Sequence, residues 1–240
     1  MFSIETIHWH TLAPGFLTPA SRVLDLGANY GMFSHAITKR IGCKCVAVEP
    51  SPVPFNGIPP SSLIQTIHAA VAGRNGTMGF RVDPENGLAS ALSSDHPDVE
   101  VRVTTLPQLL DELQWQTVDL IKVDIEGSEI EMLEACSDQF LSDRVSQISI
   151  EFHDFCGVTP PEIVAKTIDR LRSVGFESIR MSRIGHQDTW LVNRNRIPVS
   201  KGEILFHTLI TRNWFGLKRV ASRVQNRMVP PAIQPSDLGQ

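Results

Sequence analysis

The 240-residue sequence has no run of about 18 apolar residues, and its opening, MFSIETIHWH, lacks a basic start followed by a long apolar stretch. These absences argue against a membrane-spanning helix and a secretory signal, so a cytoplasmic location is expected. Cysteine is scarce as well. Cys43, Cys45, Cys136 and Cys156 show no C-x-x-C pair, and the first two lie too close in one strand to bridge; four buried free thiols are expected. There is no excess of positive charge, since the formal net charge is -4. Residues 201–228 hold six basic residues and one acid, a net +5, and residues 229–240 one acid, which leaves -8 for the first 200. An acidic body with a basic C-terminal segment does not suit a nucleic-acid partner.

What is present fits one globular α/β domain. Hydrophobic residues make up 42% of the chain, enough for a full core. Short Val- and Ile-rich runs recur at Arg22 to Leu26, Lys44 to Val48, Leu63 to Ala72, Val118 to Val123 and Gln147 to Phe152, with helical patterns between them. That alternation predicts a mostly parallel sheet with helices on both faces. Helices are expected over Gly31 to Arg40, over Ile125 to Phe140, and over PPEIVAKTIDRLRSVG, which opens on Pro160 and Pro161 and stops at Gly175. FESIRM and DTWLVN, separated by Gly185, read as an antiparallel hairpin at one edge of the sheet. Residues 73–105 read as an insertion beside the site, with possible strands TMGFRV and VEVRVTT. The expected division is a domain over 1–200, a basic helical extension over 201–228 and a disordered tail over 229–240.

The first strand runs into VLDLGANYGMFS, which places Asp25, Gly27, Asn29 and Gly31 between strand and helix. Gly27 and Gly31 remove side chains where a ligand would approach, Asn tolerates left-handed backbone, and the helix start offers free N–H groups. A tight turn with no ligand is the plain alternative. The next strand, KCVAVEP, weakens that alternative, because it ends in Glu49, 24 residues after Asp25, close to the spacing at which a carboxylate grips ribose hydroxyls. No GxxxxGK[ST] is present, and the turn is a poor G-x-G-x-x-G, so S-adenosylmethionine is the nucleoside cofactor left by these features.

VLDLGANYGMFS, VAVEP, KVDIEGSE and ISIEFHDF, in that order, resemble the motifs of the FkbM family of S-adenosylmethionine-dependent methyltransferases, over about residues 20 to 195. The resemblance implies a Rossmann-like class I methyltransferase fold, with a mostly parallel seven-stranded sheet ending in an antiparallel hairpin. It also implies O-methylation of a hydroxyl on a sugar, polyketide or other natural product. Carried onto matching positions, Asp25, Gly27, Asn29 and Gly31 would cradle the methionine end of the cofactor and Glu49 its ribose. The segment beyond about residue 200 lies outside these motifs.

In VDLIKVDIEGSE the strand Val118 to Val123 is apolar except for Asp119 and Lys122, and Asp124 stands at its C-terminal end, where open α/β sheets bind ligands. Asp124 and Glu126 are expected to face the cleft, and Lys122 to balance them as a buried ion pair. Glu129 is explained equally well as a helix-start residue meeting the helix dipole. In QISIEFHDF, Glu151 and His153 fall on one face by alternation. Proton removal from the acceptor hydroxyl needs a base, for which His153 is the leading candidate and Asp124 the second, with Glu126 and Glu151 orienting the acceptor. Asp124, Glu126, Glu151 and His153 would also suit a divalent cation, which is not favoured. His8 and His10 read as ordinary surface or packing residues. The rival readings are a nicotinamide-dependent oxidoreductase, disfavoured by the missing third glycine, and a cofactor-binding module without catalysis. The extension is expected to pack as a helix, with a homodimer or carrier-protein contact as its functional alternative.

Overall fold

A computed structural model describes residues 2–82, 89–90, 99–182 and 184–211. The chain opens with a hairpin of β1 (Glu5–Ile7) and β2 (His10–Leu12), followed by β3 (Arg22–Leu26), α1 (Met32–Ile41), β4 (Lys44–Glu49), α2 (Pro52–Gly57) and β5 (Ile64–His68). The insertion follows as β6 (Ala70–Val71), β7 (Gly76–Val82), β8 (Ala89–Ser90) and β9 (Val99–Thr104). Next come α3 (Leu106–Glu112), β10 (Leu120–Val123), α4 (Glu129–Glu134), α5 (Asp138–Arg144), β11 (Gln147–Ile150), α6 (Pro161–Ser173), β12 (Phe176–Arg180), β13 (Thr189–Asn193) and α7 (Lys201–Phe206).

The central sheet has seven strands in the order β12-β13-β11-β10-β3-β4-β5. Six run parallel, and β13 lies antiparallel between β11 and β12. This is the mostly parallel sheet with a closing hairpin that the hydrophobic runs predict. One face packs Leu109, Leu133, Leu141, Val164 and Leu171 from α3 to α6; the other packs Leu12, Phe33, Ile37 and Ile204 from β2, α1 and α7. Each fully buried aliphatic side chain in these layers contributes about 1.5–3 kcal/mol.

Several boundaries differ from those expected. Leu63 to Ala72 is not one strand: β5 stays in the main sheet, whereas β6 pairs with β9 in the insertion's own four-stranded sheet, of order β6-β9-β7-β8. Ile125 to Phe140 is two helices rather than one, because the Ser137 hydroxyl accepts the Phe140 N–H at 3.1 Å and starts α5 afresh. The first helix begins at Met32, since Gly31 is left-handed at φ 75°. The β11 ladder stops at Ile150, short of Phe152. Cys43, Cys45 and Cys136 are buried and free, but Cys156 is exposed, on the turn after β11.

The extension enters as α7, closed at its start by a capping box between Ser200 and Glu203, and a π-type turn continues to Thr211. Gly216, the basic residues Lys218 to Arg227 and the tail at 229–240 lie outside the described residues. Among the described residues no helix is long and apolar enough to cross a membrane.

Two polar anchors fix the N-terminal hairpin to the sheet. The Thr11 N–H and hydroxyl donate to the two oxygens of Asp188 at 3.0 and 2.6 Å. The Gln147 side-chain oxygen accepts the Ala13 N–H and the Trp190 ring N–H, each at 3.1 Å. Both anchors are buried, where hydrogen bonds are costly to break, so β2 is held against β11 and β13.

Candidate active site

The turn after β3 is built from left-handed residues: Gly27 at φ 73°, Asn29 at 51° and Gly31 at 75°. A Cβ on Gly27 would stand 1.7 Å from the Asp124 carbonyl oxygen, so the turn rests directly on the end of β10. The Gly27 and Ala28 N–H groups donate to the Val48 carbonyl at 3.0 Å. Glu49, at the end of β4, accepts the Asn29 N–H at Oε2 and the Ser51 N–H at Oε1, both at 2.7 Å. These bonds fix its carboxylate beside the turn and leave lone pairs for a further donor.

Asp25 sits beneath the turn instead of facing the cleft. It is 0% exposed, accepts the Ser34 hydroxyl at 2.6 Å, and lies 3.2 Å from the Lys122 ammonium. Lys122 is Asp25's cross-strand neighbour and also donates to the carbonyls of Leu26 at 3.3 Å and Gly27 at 2.5 Å. The ammonium is 3.9 Å from Asp124, so its main partners are Asp25 and the turn backbone. The strand lysine therefore joins the glycine turn to the acidic segment.

Asp124, Glu126, Glu129 and His153 form one cluster. His153 Nδ1 lies 3.0 Å from Glu129 Oε1, and Nε2 lies 3.2 Å from Glu126 Oε2 and 3.9 Å from Asp124 Oδ1. Glu129 is more than the helix-start residue it resembles in the sequence. It is 0% exposed, and its Oε1 also accepts the Gly127 and Ile125 N–H groups at 2.9 and 3.4 Å. Glu126 reaches His153 from a left-handed backbone at φ 54°. Burial opposes a charge on His153, but hydrogen bonds to Glu126 and Glu129 outweigh it and hold the imidazole up to about 11. With Nε2 facing Glu126 and Nδ1 facing Glu129, His153 links two carboxylates. The His153 bond in turn pulls the Glu126 carboxyl below its usual range.

The clamp has a measurable consequence. The ordinary histidine value is 6.5, so His153's contribution to stability is complete below pH 6.5 and is lost as pH rises toward about 11. In long-range proton–nitrogen spectra of metal-free protein, the His153 ring should show no titration between about pH 6 and 9. A transition near 6.5 would contradict the clamp.

Two further residues complete the site. Glu151, half-buried after β11, is pushed up to about 7 by burial and by the Asp124 charge. Burial also raises the Asp124 carboxyl, against the pull of Lys122. His10, which looks ordinary in the sequence, is 3% exposed with Nε2 4.0 Å from Asp124 Oδ2. Burial, with help from the Lys122 charge, drives it down to about 3, so the ring is neutral. It arrives on a two-residue turn, His8 at φ 42° and Trp9 at φ 70°, made without glycine and leaving Trp9 82% exposed. The only local signal for His10 is its position before a buried Thr-Leu-Ala run; the contact that defines it is tertiary.

A sequence profile of the methyltransferase FkbM domain matches residues 25–178. The 31-O-demethyl-FK506 methyltransferase of Streptomyces tacrolimicus is 24% identical over 198 residues, covering 67% of this chain and 74% of that protein. The hexuronic acid methyltransferase of Haloferax volcanii is 21% identical over 177 residues, covering 72% and 70%. Among solved structures, Aeropyrum pernix fibrillarin with natively bound S-adenosyl-L-methionine has a TM-score of 0.43 at 13% identity, covering 74% of this chain and 67% of the other.

Proposed function

Since the chain belongs to the FkbM methyltransferase family, we propose that it moves the methyl group of S-adenosylmethionine onto a hydroxyl oxygen of a small acceptor, a sugar or natural product. The observation that carries this reading is the contact between the glycine turn and Asp124: the place suited to the cofactor and the place suited to a base share one backbone junction. The relatives' names, one a hexuronic acid methyltransferase and one a 31-O-demethyl-FK506 methyltransferase, are consistent with an oxygen acceptor on such a molecule.

The residues present fit the cofactor. The Glu49 carboxylate, fixed beside the glycine turn by two N–H groups, keeps lone pairs for a ribose diol. When bound, S-adenosylmethionine supplies a methyl group on positively charged sulfur; the acceptor oxygen takes it as the carbon–sulfur bond breaks and the electron pair stays on sulfur. Asp124 takes the hydroxyl proton. Its carboxylate is partly open to the cleft, and burial brings its affinity for a proton closer to neutral pH, the condition for an effective general base. Glu126, clamped by His153, and Glu151 orient the acceptor's other hydroxyls.

Substituting Asp124 by asparagine keeps the shape of the side chain and removes the base. Methyl transfer is expected to fall by roughly 10² to 10⁴, while calorimetric affinity for S-adenosylmethionine stays within about threefold. The measurement is consumption of the cofactor against a panel of glycosides and uronic acids. A near-native rate in Asp124→Asn would remove the assignment, and tighter binding of NAD than of S-adenosylmethionine would remove the cofactor.

A further inference from the structure

His10 is a buried imidazole with no hydrogen bond among the described residues: Nδ1 is buried and unpartnered, and Nε2 faces Asp124, whose Oδ2 is 4.0 Å away. A neutral ring nitrogen left bare in this way costs about 1–3 kcal/mol relative to a satisfied one. Cost is added by the His8-Trp9 turn that delivers it, since left-handed backbone at non-glycine residues is itself unfavourable by about 1–3 kcal/mol each. An ion at Nε2 would give that nitrogen, which faces Asp124, the partner it lacks among the described residues, and would account for the strained turn that delivers it.

We propose that His10, Asp124 and Glu151 bind one divalent metal ion in the acceptor half of the cleft. One ligand atom from each lies within 4.8 Å of the other two. Donors about 2.1 Å from a common ion sit about 3–4 Å apart, so closure needs movement of roughly an ångström. The three come from separate pieces of chain, the hairpin strand β2, the end of β10 and the residue after β11, and the first is pinned by Thr11 bonding Asp188. Lys122 does not replace the ion, because its ammonium is 3.2 Å from Asp25 and 3.9 Å from Asp124. A second possible group, Asp124, Glu126 and His153, is a weaker alternative, since both His153 nitrogens already face carboxylates.

One imidazole and two carboxylates suit a first-row ion such as Mn²⁺ or Zn²⁺ better than Mg²⁺. Given the methyl-transfer reading, on which the role of the ion rests, the acceptor hydroxyl would coordinate it and become more acidic. Asp124 can serve both purposes: Oδ2 faces His10, while Oδ1 faces His153 and remains free to take the proton.

The test begins with binding of Mn²⁺ to the full, metal-stripped chain, followed by calorimetry and by loss of the free-ion electron paramagnetic resonance signal. One ion per chain is expected, with affinity lowered at least about tenfold in both His10→Gln and Glu151→Gln, and with S-adenosylmethionine binding unchanged in each. Should His10→Gln fail to fold, Glu151→Gln, altered at a half-buried position, decides the matter alone. Absence of saturable binding, or affinity unchanged in the variants, overturns the site. Methyl transfer that survives thorough chelation overturns the ion's role and leaves the transferase reading standing. Mn²⁺ binding weakened in the variants, without methyl transfer to any acceptor, supports the site and removes the transferase reading instead.

Discussion

Gly27→Ala is expected to abolish methyl transfer and to destabilise the fold by several kcal/mol. The residue is left-handed at φ 73°, and an added Cβ would lie 1.7 Å from the Asp124 oxygen and 2.8 Å from its carbonyl carbon. Those are backbone atoms of the residue that follows β10, so no side-chain rotation relieves the clash. Left-handed geometry alone costs alanine about 1–2 kcal/mol; the rest is displacement of the end of β10, which carries Asp124. Gly31→Ala supplies the control. Its φ is similar, but its Cβ would meet a side-chain methyl of Ile58 at 2.8 Å, not backbone. Thermal unfolding should therefore rank Gly27→Ala well below Gly31→Ala, and calorimetry should find cofactor binding weakened in the second but lost in the first. Equal effects would mean that the contact with Asp124 is unimportant.

Lys122→Met is expected to cost about 3–5 kcal/mol, the usual result of stranding one member of a buried ion pair. Asp25 would retain the Ser34 hydroxyl and lose its countercharge, and the carbonyls of Leu26 and Gly27 would lose a donor. Against a typical total of 5–15 kcal/mol this is a large fraction; at about 2–4 °C per kcal/mol for a chain of this size, the melting temperature falls by roughly 10 °C. Adding Asp25→Asn should recover part of the loss, because no buried charge is then left alone. Urea unfolding of the two single variants and the double measures the coupling. A Lys122→Met protein within about 0.5 kcal/mol of the parent would show that the pair contributes little.

The parts of the fold that rest on hydrophobic periodicity were readable in the chain. Val23–Leu26 and Leu120–Val123 are buried throughout, as short apolar runs in a covered sheet are. The glycine turn was readable for a different reason, since φ values near 70° favour glycine. Glu129 was not, because acidic residues at a helix start have an ordinary electrostatic explanation, and its real partner is 24 positions away. His153 is legible as a polar residue at a strand end, but its closeness to Glu126 and Glu129 is not, because those contacts are made across the turn and the next helix. His10 was missed because its neighbour across the site, Asp124, is set by where the hairpin lands. The split between α4 and α5 turned on one serine whose capping strength competed with a continuous helical pattern.

The hairpin that carries His10 also bears on how the protein is made. Its tie to the sheet joins Thr11 to Asp188, positions separated by 177 residues. A contact of such sequence separation pays a loop-closure entropy that local contacts avoid, and tends to form late. The glycine turn, Glu49 and Asp124 can come together while β13 is still unfolded or unsynthesised; the hairpin gains the second of its two anchors only when β13 is in place. A folding intermediate with the glycine turn, Glu49 and Asp124 assembled and the hairpin undocked follows naturally from this topology.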